Sequence, residues 1–177
     1  MNNLKLVTAP ASVLSTRAKE IVSVDLETQQ LMDNMLKLMY KQNGIGLAAN
    51  QVGILKRIVV LDLQDKESEY RDLFPLFMAN PKIIFQSDDC QECQEGCLSL
   101  PGQAVSLSRP EQIEVEYLDY NNKLQKIKAD GLLSRAIQHE IDHINGKLLI
   151  NYLSNLKKSF ALKKLSKIKN NLQKQAS

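Results

Sequence analysis

Both histidines of this chain, His139 and His143, stand four residues apart with Glu140 beside the first, in Gln138-His139-Glu140-Ile141-Asp142-His143. On an α-helix each residue advances about 100°, so positions four apart lie roughly 40° from eclipsed and two imidazoles can point at one ion. Glu140 then projects about 100° away, beside the ion rather than on it, where a carboxylate can take and return the proton of an activated water. On a solvated surface helix the same residues would pair locally, and the pattern alone leaves that reading open.

A metal site takes a third protein ligand and, if catalytic, keeps one position free. After His143 the chain has no His, Cys, Asp or Glu, so a third ligand must come from upstream. Glu95-Gly96-Cys97-Leu98-Ser99-Leu100-Pro101 sets a thiol in an apolar segment whose Gly96 and Pro101 suggest a fixed irregular backbone. A cysteine there is either a ligand or inert packing. Cys90, Cys93 and Cys97 also form a Cys-x-x-Cys-x-x-x-Cys run that could belong to a structural zinc or redox site, although the second pair of a zinc ribbon is absent. A third segment, Asn43-Gly44-Ile45-Gly46-Leu47-Ala48-Ala49-Asn50-Gln51-Val52-Gly53, has glycines where a backbone approaches something closely and small residues between them. Without context it is a helix-to-strand turn followed by a buried strand. It lacks the Lys-Ser/Thr ending of a phosphate loop.

Taken in this order, the three segments resemble the motifs of the peptide deformylase family. Gly44-Ile45-Gly46-Leu47-Ala48-Ala49-Asn50-Gln51 is similar to its glycine-rich motif, with Asn50 at a variable position. Glu95-Gly96-Cys97-Leu98-Ser99 is similar to its cysteine motif and Gln138 to His143 to its helix motif, and the resemblance runs from about Leu6 to Leu153. It implies a hydrolase that removes the formyl group from the N-terminal formyl-methionine of nascent polypeptides, releasing formate. It implies that Cys97, His139 and His143 hold one divalent ion, usually Fe(II), with Zn(II), Ni(II) or Co(II) able to substitute; this donor set does not suit Mg or Ca. Glu140 would be the general base and then the general acid. The Gln51 side-chain amide and the Leu98 backbone N–H would meet the oxyanion together with the metal. Ile45, Leu98, Leu132, Ala136 and the His139 ring would line a pocket for the unbranched methionine side chain. Gly44 and Gly46 would let the backbone come near an extended peptide, with Glu95 at the substrate site and paired to Arg109. Cys90 and Cys93 would be incidental residues of a variable loop.

The elements that must position these groups are partly legible. Asp130 is a candidate N-cap, Leu133, Ile137, Ile141 and Ile144 form an apolar stripe, and Asn145-Gly146 is a C-terminal stop. Leu132, Ala136, His139 and His143 make the adjacent face, which the helix can turn toward a pocket. Asp25 can cap a helix through about Lys41 with Met32, Met35, Leu36 and Met39 on one face. Strand-like runs occupy Arg57 to Leu63 and Phe77 to Asn80, and a hairpin spans Gln112 to Ala129 with Asn121-Asn122 at its turn. Gln64 to Asp72 is a charged, apolar-poor stretch read as a mobile loop. Strands in the middle with helices near both ends predict an α+β fold, antiparallel sheets around a central metal-binding helix.

With 177 residues and 44% apolar content there is chain for one core, so residues 1–177 are read as a single catalytic domain with 154–177 as a basic C-terminal helix. No run of about 18 apolar residues is present, and Met1-Asn2-Asn3 begins no basic-then-apolar leader, which predicts a monomeric cytoplasmic protein off the membrane. A net charge of +3 is too small to imply DNA or other nucleic-acid binding by itself. From Lys157 to Lys174, however, seven lysines alternate with Phe160, Leu162, Leu165, Ile168 and Leu172 and no acidic residue intervenes. This is a basic amphipathic helix, which either packs its apolar side onto the domain or, as the family resemblance implies, docks on the ribosome near the exit tunnel; in the second case truncation from about Ser159 weakens ribosome binding and spares the chemistry. Two rival functions share some of these residues: a zincin-type protease that cuts internal peptide bonds, and a metal-stabilised binding module built on the cysteine run.

Overall fold

The computed structural model describes residues 4–65 and 67–175, of which 169–175 by backbone alone. Met1, Asn2, Asn3, Lys66, Ala176 and Ser177 lie outside the described residues. Three helices, α1 (Leu26–Lys41), α2 (Gly131–Ile144) and α3 (Asn155–Gln175), surround seven strands: β1 (Gly46–Ala48), β2 (Ile58–Leu61), β3 (Leu76–Gln86), β4 (Cys90–Gly96), β5 (Ala104–Pro110), β6 (Ile113–Leu118) and β7 (Leu124–Ala129). An antiparallel five-stranded sheet has the order β1-β2-β3-β6-β7, and β4 and β5 form a separate antiparallel pair. The architecture is the expected α+β arrangement.

Strand β2 explains how the layers meet. Its Ile-Val-Val-Leu run is buried on both faces. Successive side chains point to opposite sides of a strand, so Ile58 and Val60 meet Met32, Met35 and Met39 of α1, while Val59 and Leu61 meet Ile137 and Ile141 of α2. Asp25 caps α1 by accepting the Thr28 N–H at 2.8 Å. The Leu133, Ile137, Ile141 and Ile144 stripe of α2 is buried, which fixes the helix rotation and turns its neighbouring face to the site. The helix stops at Asn145, and Gly146 follows with φ +76°, where a Cβ would sit 2.8 Å from the Ser15 carbonyl oxygen.

Several expectations need correcting. Asp130 occupies the N-cap position of α2, but its side chain accepts from the Tyr70 hydroxyl at 3.1 Å and makes no capping bond. Strand β3 runs to Gln86 rather than ending at Asn80, because Asn80 (φ +51°) and Pro81 are absorbed in a register shift between Ala79 and Lys82. Cys90 and Cys93 lie on a paired strand rather than in a loop, since every residue from Cys90 to Gly96 pairs with β5. The described residues of the Gln64 to Asp72 stretch form the expected connection, irregular until a 3-10 turn at Arg71–Leu73.

Helix α3 packs onto the domain through Ala161 and Leu165, which are buried with Leu100, Val105, Leu107, Leu149 and Ile150. Gln103 Nε2 donates to the Ala161 carbonyl at 2.7 Å, and Lys164 Nζ to the Gly102 carbonyl at 3.0 Å. Phe160, read as part of the apolar face, is 61% exposed, one position off the buried row. The side chains of Lys169, Leu172 and Lys174 lie outside those described. Truncation from Ser159 therefore removes core as well as charge. We expect it to lower stability by at least the value of one buried leucine, about 2–5 kcal/mol. A denaturant midpoint equal to that of the full chain would show that α3 contributes no core.

Candidate active site

The cysteine segment and α2 converge on one point. The candidate ligand atoms of Cys97, His139 and His143 all lie within 4.8 Å of one another, with Cys97 Sγ 3.1 Å from His143 Nε2 and the two Nε2 atoms 3.2 Å apart. At most one of two facing ring nitrogens can carry a proton, so this approach fits lone pairs turned toward a shared cation. Tetrahedral coordination at ordinary bond lengths separates such nitrogens by about 3.4 Å, close to what is seen. The thiolate and two imidazoles suit Fe(II), Co(II), Ni(II) or Zn(II). Charge balance agrees. Burial and the neighbouring His139 drive His143 well below its ordinary pKa, the neutral state a ligand needs. Burial also disfavours a charge on His139, yet its hydrogen bonds to Cys97 and Glu95 outweigh it and hold the pKa at about 10, so the surroundings favour a positive charge at this spot.

A second ring of residues aims the first. Strand alternation places Cys93, Glu95 and the start of the Cys97 turn on one side of β4. Glu95 Oε2 lies 2.9 Å from His139 Nδ1 and so fixes the tautomer that presents Nε2 to the ion. Arg109 on β5 grips both oxygens of the same carboxylate and reaches Asp142 Oδ2 at 3.0 Å. Burial would raise the Glu95 pKa, but the His139 and Arg109 hydrogen bonds bring it down to about 2, so it stays charged. Glu95 lines the cavity, and both its oxygens are engaged, by His139 and Arg109.

Glu140 is buried, and burial, the largest effect on it, lifts its pKa to about 7. Its Oε2 has no hydrogen-bond partner among the described residues, which leaves that oxygen free for a proton in transit. Gly46 makes room for it: a Cβ there would press on the Glu140 carboxylate, with the carboxyl carbon at 3.0 Å. At Gly44 a Cβ would meet Leu98 Cδ1 at 2.8 Å. The two glycines line the cavity, and a side chain at either would also press on Leu98 or Glu140.

Gln51 lies in a 3-10 turn, Ala49–Val52, closed by Gly53 at φ +83°. Its Oε1 accepts the Ala48 N–H at 2.8 Å, which obliges the amide nitrogen to face Ser99 Oγ, 3.2 Å away, and Cys97 Sγ at 3.7 Å. The Leu98 N–H donates to no group among the described residues. Beside these donors opens a cavity of about 790 Å³ lined by Ile45, Leu98, Leu132, Ala136 and His139, with Leu6 and Leu100 further along. A mostly apolar recess with a few convergent polar groups is the usual form of a ligand site.

The family model for polypeptide deformylase matches residues 3–159. The chain belongs to the polypeptide deformylase family. It is 48% identical to a peptide deformylase of Rickettsia akari over 97% of this chain and 99% of that one. A peptide deformylase of Orientia tsutsugamushi is 50% identical, covering 96% and 97% respectively. The crystal structure of peptide deformylase from Ehrlichia chaffeensis superposes with a TM-score of 0.89 at 40% identity, covering 95% of this chain and 97% of that one. A structure of peptide deformylase from the same organism in complex with actinonin gives 0.88 at 43% identity.

The structure also brings in residues that sequence reasoning passed over. Asn50 Nδ2 donates to the His143 carbonyl and ties the glycine-rich motif to the metal helix. Asp142, within the helix motif, accepts from Arg109 and from the Tyr152 hydroxyl at 2.7 Å. Arg135 lines the cavity one turn before His139. Asp142 and Arg135 were readable as polar positions three and four residues from His139 on a helix already assigned. The link from Asn50 to His143 spans 93 residues and carries no local signal.

Proposed function

We propose that this chain removes the N-formyl group from the N-terminal formyl-methionine of newly made polypeptides, releasing formate and a free amine. The observation that carries the reading is a buried carboxylate, Glu140, beside the convergent Cys97, His139 and His143 set at one end of an apolar cavity. Cys97, His139 and His143 hold one divalent ion, Fe(II) in the cell, with Zn(II), Ni(II) or Co(II) able to take its place. When bound, that ion supplies Lewis acidity toward the formyl oxygen and lowers the pKa of water.

The chain's own groups do the rest. The methionine side chain enters between Ile45, Leu98, Leu132, Ala136 and the His139 ring, which sets the formyl carbon beside Glu140. Glu140 takes a proton from the attacking water, whose oxygen bonds to that carbon, and returns it to the amine nitrogen as the C–N bond breaks. A group whose pKa lies near neutrality serves both steps. The Gln51 amide and the Leu98 N–H donate to the oxygen that gains charge in the tetrahedral intermediate. Glu95 and Arg109 position His139 rather than touch substrate. Release of formate from a formyl-methionyl peptide, with its internal bonds intact, tests this reading and separates it from proteolysis.

We take the chain to work as one catalytic domain over 1–177 and as a monomer, a reading supported by the presence of all three ligands in a single copy. No helix among the described residues is long and apolar enough to cross a membrane. We assign it to the cytoplasm, where its substrates emerge. Helix α3 keeps Lys157, Lys158, Lys163, Lys164 and Lys167 beside its packed row and without acidic neighbours, which supports docking to the ribosome near the exit tunnel through RNA phosphate. Because truncation disturbs the core, charge reversal is the cleaner test. Lys158, Lys163 and Lys167 changed together to glutamate are expected to abolish ribosome co-sedimentation at low salt in a folded protein; unchanged sedimentation would leave α3 as packing alone.

A further inference from the structure

Arg135 shares one face of α2 with Leu132, Ala136 and His139, as positions 132, 135, 136 and 139 must on a helix. All four line the cavity. The acidic groups on that wall are committed elsewhere: Glu95 to Arg109 and His139, Glu140 to its niche against Gly46. Arg135 forms no ion pair among the described residues, and its Nε is buried without a hydrogen-bond partner. It lies beside the Cys93 thiol, whose pKa it draws down against the larger opposing effect of burial. An uncompensated guanidinium on a mostly apolar wall favours a ligand that brings an anion, and its planar fork matches a carboxylate.

The neighbouring residues say where that anion comes from. Leu132, Ala136 and His139 belong to the methionine pocket, which is apolar, and half-buried Arg135 borders it beside Cys93 of β4, so an anion that reaches it is one carried by the peptide beyond the methionine side chain. We infer that Arg135 is a specificity-determining residue that favours formyl-methionyl peptides carrying a carboxylate one or two residues after the methionine. The inference rests on the deformylase reading and names a substrate preference of the same site.

The test compares metal-loaded protein on amide-capped peptide pairs, formyl-Met-Glu against formyl-Met-Gln and formyl-Met-Ala-Glu against formyl-Met-Ala-Gln. Uncapped formyl-Met-Ala against its amide separates a terminal carboxylate from a side chain. The acidic member of at least one side-chain pair should show a kcat/KM higher by roughly 3- to 10-fold, carried by KM and shrinking as salt rises. The ratio should fall to about one in Arg135→Gln, drop below one in Arg135→Glu and be partly kept in Arg135→Lys. A wild-type ratio of one at low salt while the glutamine peptides are turned over, or a ratio that survives Arg135→Gln, overturns the inference. If a variant does not fold, the salt dependence of the wild-type ratio decides, since a preference unaffected by salt is not electrostatic. Failure to turn over any peptide overturns the deformylase reading itself.

Discussion

Cys97→Ala, His139→Ala and His143→Ala are each expected to lose the bound metal and, with it, essentially all deformylation. The three donor atoms lie within 4.8 Å of one another, so deleting any one leaves two ligands, too few for a stable site. Changes to groups that merely orient ligands already cost ~10- to 100-fold in affinity or activity, and loss of a ligand should exceed that. Cys90 is exposed on β4, and Cys93 makes its contacts with the Glu95 carboxylate and the Leu107 carbonyl. Cys90→Ser and Cys93→Ser should therefore retain a full complement of metal. Elemental analysis of purified variants, set against far-UV circular dichroism to confirm folding, decides the matter. Full metal content in Cys97→Ala would remove that residue from the site.

Glu140→Ala should separate metal binding from chemistry. The carboxylate is not among the clustered ligand atoms, so metal content should stay normal, while turnover drops by about 10²- to 10⁴-fold, the usual worth of a positioned acid–base group. Gly46→Ala gives an independent route to the same outcome, because its new methyl group would press on the Glu140 carboxylate without touching a ligand. A turnover loss in both variants with metal retained supports proton handling by Glu140. Near-normal turnover in Glu140→Ala would assign that role to another group, and metal loss would make Glu140 a ligand.

Much of the site could be read before the fold because its chemistry is local. The two histidines lie on one helical turn, and the stripe from Leu133 to Ile144 fixes which way that turn faces. Capping of α1 by Asp25 and the hairpin from Ile113 to Ala129 were legible for the same reason, since their signals lie within a few residues. Strand β4 was not. Its Cys-Gln-Glu-Cys-Gln-Glu-Gly sequence has no apolar alternation, because one face meets solvent and the other meets a polar site. Its partner β5 does alternate, with Val105, Leu107 and Arg109 buried, and that period of two could have revealed the pair. The steric demand on Gly44 and Gly46 from Leu98 and Glu140 carries no local signal, since both neighbours come from far along the chain. The tail was legible in charge but only partly in packing: Leu165 of the apolar row is buried, but so is Ala161, too small to mark a stripe, and Phe160 beside it faces out.

Formate release measured alongside new α-amine is the most direct test of the central claim. Protein purified without oxygen with Fe(II), or reloaded with Ni(II), is incubated with formyl-Met-Ala-Ser and with the same peptide bearing an acetyl group. Equimolar formate and free methionyl peptide from the formylated substrate, with the acetylated one left unchanged, is the expected result. Cleavage of an internal peptide bond, or no formate from protein carrying a full equivalent of metal, would contradict it.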